Sequence, residues 1–490
     1  MKSLDSFFKS QSQTPIIETL ASLINKPDAA FYTPGHKRGQ GSGQNLVNLL
    51  GSSVFRADLP ELPELDHLFA PEGVIHKAQS LAAEAFGSAQ TWFLVNGSTC
   101  GIMAAILATC QKGDKIILPR NIHQSAIAGL IVSGAVPIFV NPAYNPIDDL
   151  TYSITPEGLE TALQENPDTK AVMIVYPTYQ GICGDLEALI SLTHRHNIPF
   201  LVDEAHGGHF AFHSLLPPSA LSLGADLTIQ STHKVLGSFT QSSMLHLQGD
   251  LVNPQRITKA LQLLQSSSPS YLLLASLDGA RQQMALEGHQ ILTKTLQLAE
   301  IAREQLSQIS GLSVLTLDNP RPEFRWLDIT RLTVNVAQLG LTGYEVDEML
   351  RQQMGVTAEL PLLKHLTFII TFGNTQEDIT KLVQGFAAIA SSSSFNPLRV
   401  SVPFPLSDTP MGISPRDAFF RPTETLDIDQ SVGYISAELV CPYPPGIPVL
   451  MPGEKITPQA VAYLQQVLSL GAMITGCSDP TLKTLNVVRF

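Results

Sequence analysis

At 490 residues the chain is longer than one hydrophobic core usually supports, which predicts a large domain and one or two smaller ones. With 44% hydrophobic and 15% charged residues it can bury a substantial core, which excludes disorder on a large scale. A formal charge of −13 argues against nucleic acid as a partner, since a phosphate backbone is met by clustered Lys and Arg.

Met1 to Pro27 carries charged and polar residues throughout and lacks the apolar core of a secretory signal, and no apolar run is long enough to span a bilayer. The five cysteines show neither a CxxC pair nor zinc-ligand spacing and read as reduced thiols of a cytoplasmic protein.

From about Phe86 to Leu247 short apolar runs alternate with helical patterns, which predicts an α/β domain built from repeated βα units around a mostly parallel sheet. The strand candidates are TWFLV (91–95), KIIL (115–118), PIFV (137–140), AVMIVY (171–176), PFLVD ending at Asp203, DLTIQ (226–230) and SMLHL (243–247). Helix candidates between them are 99–110, 122–133, 156–165 and 185–196. A long amphipathic stretch, 273–310, leads to a smaller domain at about 311–390, and SSSSFNP (391–397) reads as a linker. CPYPPGIPVLMPGE (441–454) holds too many ring-locked prolines to be a helix or a central strand.

In open α/β sheets ligands bind outside the carboxyl ends of the strands, so the polar residues just after each apolar run are the site candidates. In VNGSTCGIMAAI (95–106) the hydroxyls of Ser98 and Thr99 and the amides of a helix start suit a phosphate, or are ordinary N-caps. In RNIHQSAI (120–127) His123 either stacks on a planar group or is satisfied by the helix that follows it. YPTYQGICGD (176–185) adds Thr178 and Tyr179 at another strand end. In VDEAHGGHF (202–210) Asp203 suits a protonated ring nitrogen, and equally a helix cap or a metal. In STHK (231–234) Lys234 can form an imine with an aldehyde cofactor while Ser231 and His233 meet its phosphate; a surface lysine in a turn has the same pattern.

In combination, the order GST, NxH, PTYxG, DEAHG and SxHK resembles the fold-type-I pyridoxal-phosphate (PLP) enzymes, in particular the bacterial ornithine/lysine/arginine decarboxylase family. FYTPGHKRG (31–39), LDHLFAPEG (65–73), SSSPSYLLLASLDGAR (266–281) and CPYPPGIPVLMPGE also resemble stretches of that family, so the likeness covers most of the chain. It is closest to the short, Bacillus-type biosynthetic arginine decarboxylases.

The resemblance implies the fold-type-I PLP-dependent transferase fold: a large domain with a mostly parallel seven-stranded sheet, plus smaller α+β C-terminal domains. Residues 1–60 would form an N-terminal segment, 61–310 the PLP-binding domain with its connecting helix, 311–390 a small α+β domain and 397–490 a C-terminal decarboxylase domain. The implied reaction is decarboxylation of arginine, lysine or ornithine, the first two favoured, to agmatine, cadaverine or putrescine and CO₂, as in polyamine biosynthesis. Transamination, or PLP binding without catalysis, are the alternatives.

Carried over to this sequence, the resemblance implies Lys234 as the imine lysine, Asp203 on the pyridine nitrogen and His123 stacked on the ring. Ser98, Thr99, Ser231 and His233 would hold the phosphate, with Thr178, Ala205 and His206 beside the cofactor. Lys234 or His233 would return a proton to Cα, and Glu454 would meet the distal cation of the substrate. His206 and His209 are spaced like a metal pair, but the family implies no metal. A homodimer or a multiple of one is implied, with SSSPSY (266–271) reaching the neighbouring chain. Two departures stand out: Gln124 occupies a position where the family commonly has lysine, and the length leaves no room for the N-terminal domain of the long, decameric forms.

Overall fold

The computed structural model describes residues 4–490 except 148, 394, 399–410, 444 and 445, so parts of the 391–397 linker and of the 441–454 loop lie outside the described residues. Seven strands, β1 (Gln90–Leu94), β2 (Lys115–Pro119), β3 (Val136–Val140), β4 (Ala171–Val175), β5 (Phe200–Asp203), β6 (Leu227–Gln230) and β7 (Ser243–Leu247), form one sheet in the order β1, β7, β6, β5, β4, β2, β3. Among the helices that follow are α1 (Gly97–Thr109), α2 (Gln124–Ser133), α3 (Thr232–Val235), α4 (Tyr271–Ser307), α5 (Gln376–Ser392) and α6 (Pro458–Ser469). Each strand lies within a residue or two of its apolar run. β5, β6 and β7 are buried along their whole length, which is why they read as unbroken apolar runs rather than alternating ones.

β2 runs parallel to β3 and β4, and β5 runs parallel to β6, while β7 is antiparallel to both β1 and β6. The reversal has a cause in chain length. A parallel return needs a crossover long enough to span the sheet, usually a helix, and the β6–β7 connection holds only the four-residue α3. Because β1 and β6 both oppose β7, they point the same way and their carboxyl ends share one edge.

The residues group into two compact units, 1–108 with 201–214 and 218–290, and 109–200 with 215–217 and 291–490. In the first, Gly101 lets α1 lie directly on the sheet: a Cβ there would come within 2.7 Å of Leu94 Cδ1 and 2.8 Å of Ile229 Cγ2. In the second, the antiparallel strands β8 (Ser313–Val314), β9 (Arg331–Asn335), β10 (Leu360–Pro361) and β11 (His365–Ile369), in the order β8, β9, β11, β10, pack with α5 around Leu332, Val334, Leu366 and Phe386. A further core around α6 gathers Val440, Leu450, Leu464 and Val487. Among the described residues no helix is long and apolar enough to cross a membrane, and all five cysteines are free thiols.

Candidate active site

In the first unit the chain leaves β1 through Gly97, whose φ of +73° is a left-handed conformation that glycine adopts without a steric penalty. That turn starts α1 with Ser98 and Thr99 at its N-terminus. Ser231, the first residue after β6, donates from Oγ to Ser98 Oγ at 2.7 Å. Gln241 holds the same turn from the β6–β7 connection, accepting from Gly97 N at 2.8 Å and donating from Nε2 to Val95 O at 2.8 Å. Two hydroxyls beside the free amides of a helix N-terminus make a donor set suited to a phosphate.

Lys234, in α3, is half-buried, and its Nζ lies 3.0 Å from Nε2 of His206. Asp203 ends β5 with 5% of its surface exposed and accepts from Ala205 N at 3.1 Å. Burial pushes its carboxyl above the ordinary range, and the charge of Lys234 opposes the rise. Nδ1 of His233 lies 2.9 Å from Ser242 O, while His209 is buried with its ring against Phe210.

A buried polar chain next to Asp203 escaped the sequence reading. Glu204 accepts from Ala220 N at 2.7 Å and from Gln230 Nε2 at 2.6 Å. Gln230 Oε1 lies 3.1 Å from His246 Nε2, and His246 Nδ1 lies 2.8 Å from Thr91 Oγ1. Burial pushes the Glu204 carboxyl up to about 8 and His246 down to about 3, so both favour their neutral forms. The chain ties together β1, β5, β6 and β7, the strands whose ends carry Ser98, Asp203, Ser231 and Lys234. Its one sequence signal was polar residues inside otherwise apolar strands, Thr91 in TWFLV and His246 in SMLHL.

In the second unit His123 is the N-cap of α2: its Nδ1 accepts from Ser125 N at 3.2 Å and lies 2.8 Å from Ser125 Oγ. This orients the ring. Thr178 is buried after β4 and accepts through Oγ1 from Ile182 N at 3.2 Å. Glu454 is 1% exposed, and its Oε2 accepts from Arg120 Nη2 at 3.2 Å and from Met451 N at 2.9 Å. Arg120, just past β2, also donates to Pro448 O and Val449 O, each at 2.9 Å, so it anchors the proline-rich loop three residues before His123. Arg120 was not among the residues singled out from sequence.

Residues 14–322 match the model of the Orn/Lys/Arg decarboxylase major domain, and residues 409–479 match that of the Orn/Lys/Arg decarboxylase C-terminal domain. The arginine decarboxylase of Bacillus subtilis is 39% identical over 484 residues, covering 98% of this chain and 99% of the relative. Among solved structures, the lysine decarboxylase of Francisella novicida superposes with a TM-score of 0.84 at 21% identity, covering 98% of this chain and 82% of that one. Ureidoglycine-glyoxylate aminotransferase from Bacillus subtilis superposes with a TM-score of 0.51 at 14% identity, over 64% of this chain and 84% of that one. The seven-stranded sheet is thus that of the fold-type-I PLP-dependent enzymes. Matched in both segments, and nearly end to end by a relative at 39% identity, the chain belongs to the Orn/Lys/Arg decarboxylase family.

Proposed function

We propose that this chain is a PLP-dependent decarboxylase whose preferred substrate is L-arginine, with lysine second. The observation that carries the reading is the cluster in the first unit: Lys234 beside His206, Asp203 buried within reach of the lysine's charge, and the Ser98–Ser231 hydroxyl pair at a helix N-terminus. These groups fit the cofactor part by part. The Lys234 amine suits its aldehyde carbon, Asp203 its ring nitrogen, and Ser98, Thr99, Ser231 and His233 its phosphate. In the second unit, His123 is the proposed stacking partner and Thr178 a further neighbour of the cofactor. The preference for arginine rests on the full-length likeness to arginine decarboxylases.

When bound, PLP supplies an electron sink for the pair released as the Cα–carboxylate bond breaks. Asp203 would hold a proton on the ring nitrogen, which would strengthen that sink. At 3.0 Å a proton can pass between Lys234 Nζ and His206 Nε2, and the lysine must be neutral to act as a nucleophile. The protein's remaining task would be to orient the bound substrate so that CO₂ is lost in preference to a proton. Lys234 and His233 are the two candidates to reprotonate Cα, and Glu454 is the candidate for the substrate's distal cation. We further propose a cytoplasmic homodimer, or a multiple of one, with the exposed Ser266, Ser267 and Ser268 at the contact between chains.

The test is to incubate purified protein with arginine, lysine and ornithine and to measure CO₂ and amine. Arginine should give the highest kcat/KM. Formation of a keto acid instead of CO₂, or no reaction with any of the three, would overturn the reading.

A further inference from the structure

The second unit holds a partly open cavity of about 130 Å³ whose lining includes none of the residues proposed above for cofactor or substrate. Its lining combines apolar side chains, among them Leu150, Leu362, Ile447 and Val467, with the polar Asp149, Lys364, Gln180 and Tyr344. Lys364 Nζ lies 3.1 Å from Asp149 Oδ2, with both side chains 11% exposed, and the hydroxyl of Tyr144 donates to Asp149 Oδ1. Gln180 is 8% exposed, yet among the described residues its side-chain amide makes no hydrogen bond. The Tyr344 hydroxyl likewise has no partner there, and burial pushes it up to about 12, so it stays protonated. A nearly buried amide facing a cavity is ordinarily completed by what occupies it.

Charge narrows what that occupant is. His365, also in the lining, is pushed down to about 4 by burial and is neutral near pH 7, which leaves Asp149 and Lys364 as the charged groups of the described lining. A lone cation would face Lys364, and a lone anion would face Asp149. A zwitterion avoids both repulsions. With its ammonium toward Asp149 and its carboxylate toward Lys364 it completes a ring of four alternating charges, and Gln180 and Tyr344 can donate to one end and accept from the other. A closed protein cavity of about 150 Å³ accepts a molecule of benzene's size; this one is partly open, so its volume bounds the buried side chain alone, and the apolar lining suits one of a few carbons. We propose that this cavity is a binding site for a free α-amino acid with an apolar side chain, separate from the decarboxylation site. Asn121 lines it two residues before His123, and Gln180 two residues after Thr178, so an occupant would touch both of those loops.

Calorimetric titration of the cofactor-loaded protein with L-leucine should show one saturable site per chain. 4-Methylpentanoate and 3-methylbutylamine, each carrying one of leucine's two charges, should bind roughly tenfold more weakly or worse, as expected for a lost charge-assisted contact. Gln180→Leu should weaken leucine by a similar factor. The double variant Asp149→Asn, Lys364→Met removes both charges together, so it should abolish binding with little change in melting temperature. Lys234→Ala should bind leucine as the parent does. Equal binding of the three probes, no binding of leucine, unaltered binding in the Gln180 and double variants, or loss of binding in Lys234→Ala would each overturn the proposal. Absence of amine release alongside normal leucine binding would count against the proposed reaction alone.

Discussion

A lysine amine attacks an aldehyde only when neutral, and in the proposed mechanism His206, 3.0 Å away, would take the proton of Lys234. Lys234→Ala should abolish amine release together with the visible absorbance of bound cofactor; a borohydride-reducible adduct on that variant would contradict the assignment. Asp203→Ala should keep some cofactor while slowing turnover by orders of magnitude, because an unprotonated ring is a poorer sink, and near-normal turnover would show that another acid holds the nitrogen. Glu454 is a different case, since Arg120 and Met451 N already meet its Oε2. Removing one partner of a buried pair costs about 3–5 kcal/mol, so Glu454→Gln should lower the melting temperature by stranding the Arg120 charge. If Glu454 also meets the substrate, the variant should lose selectivity for arginine over uncharged analogues in kcat/KM, and unchanged selectivity would remove it from the site. Glu204 gives a pH test. Its carboxyl is raised in the fold to about 8 from an ordinary 4.5, so its contribution to stability is full below about pH 4.5 and declines as pH rises toward 8, by about 1.4 kcal/mol per pH unit at most. Melting temperatures of Glu204→Gln should therefore fall less than those of the parent between pH 5 and 8, and parallel curves would refute the assignment.

At the scale of elements, the site depends on how closely α1 lies on the sheet. Gly101→Ala would bring a methyl within 2.7 Å of Leu94 and 2.8 Å of Ile229, and overpacking of this kind costs about 1–3 kcal/mol. We expect a lower melting temperature and weaker cofactor binding in that variant, because lifting α1 separates Ser98 from Ser231. A stability loss with cofactor affinity unchanged would mean that the helix start does not hold the phosphate. The β6–β7 connection works in the same place: one stretch of twelve residues carries Ser231, His233 and Lys234 and, through Gln241, pins the turn before α1. Its helix, the four-residue α3, is too short to cross the sheet, so the reversal of β7 accompanies the placement of the lysine.

For the molecule as a whole, sedimentation should find a dimer or a multiple of one, and a fully active monomer would contradict the proposed assembly. Strand positions were legible in the sequence because β5, β6 and β7 are buried on both faces and so appear as unbroken apolar runs. Long α4 and the helices Pro156–Glu165 and Leu186–His194 were legible for a similar local reason: helical periodicity is a property of neighbouring residues. The strand-end rule also picked out Ser98, His123, Asp203 and Lys234, since polar residues after an apolar run are visible without knowing the fold. Pairing was not visible. Ser98 meets Ser231 across 133 positions of sequence, and Arg120 meets Glu454 across 334. The sequence by itself determined which segments are strands and which residues stand at their ends, because both follow from local burial and local turn chemistry. The tertiary structure decided that Lys234 faces His206, that Glu204 and His246 share a buried chain, and that Glu454 answers to Arg120, because those partners depend on strand order and on loop paths that no short stretch of residues encodes.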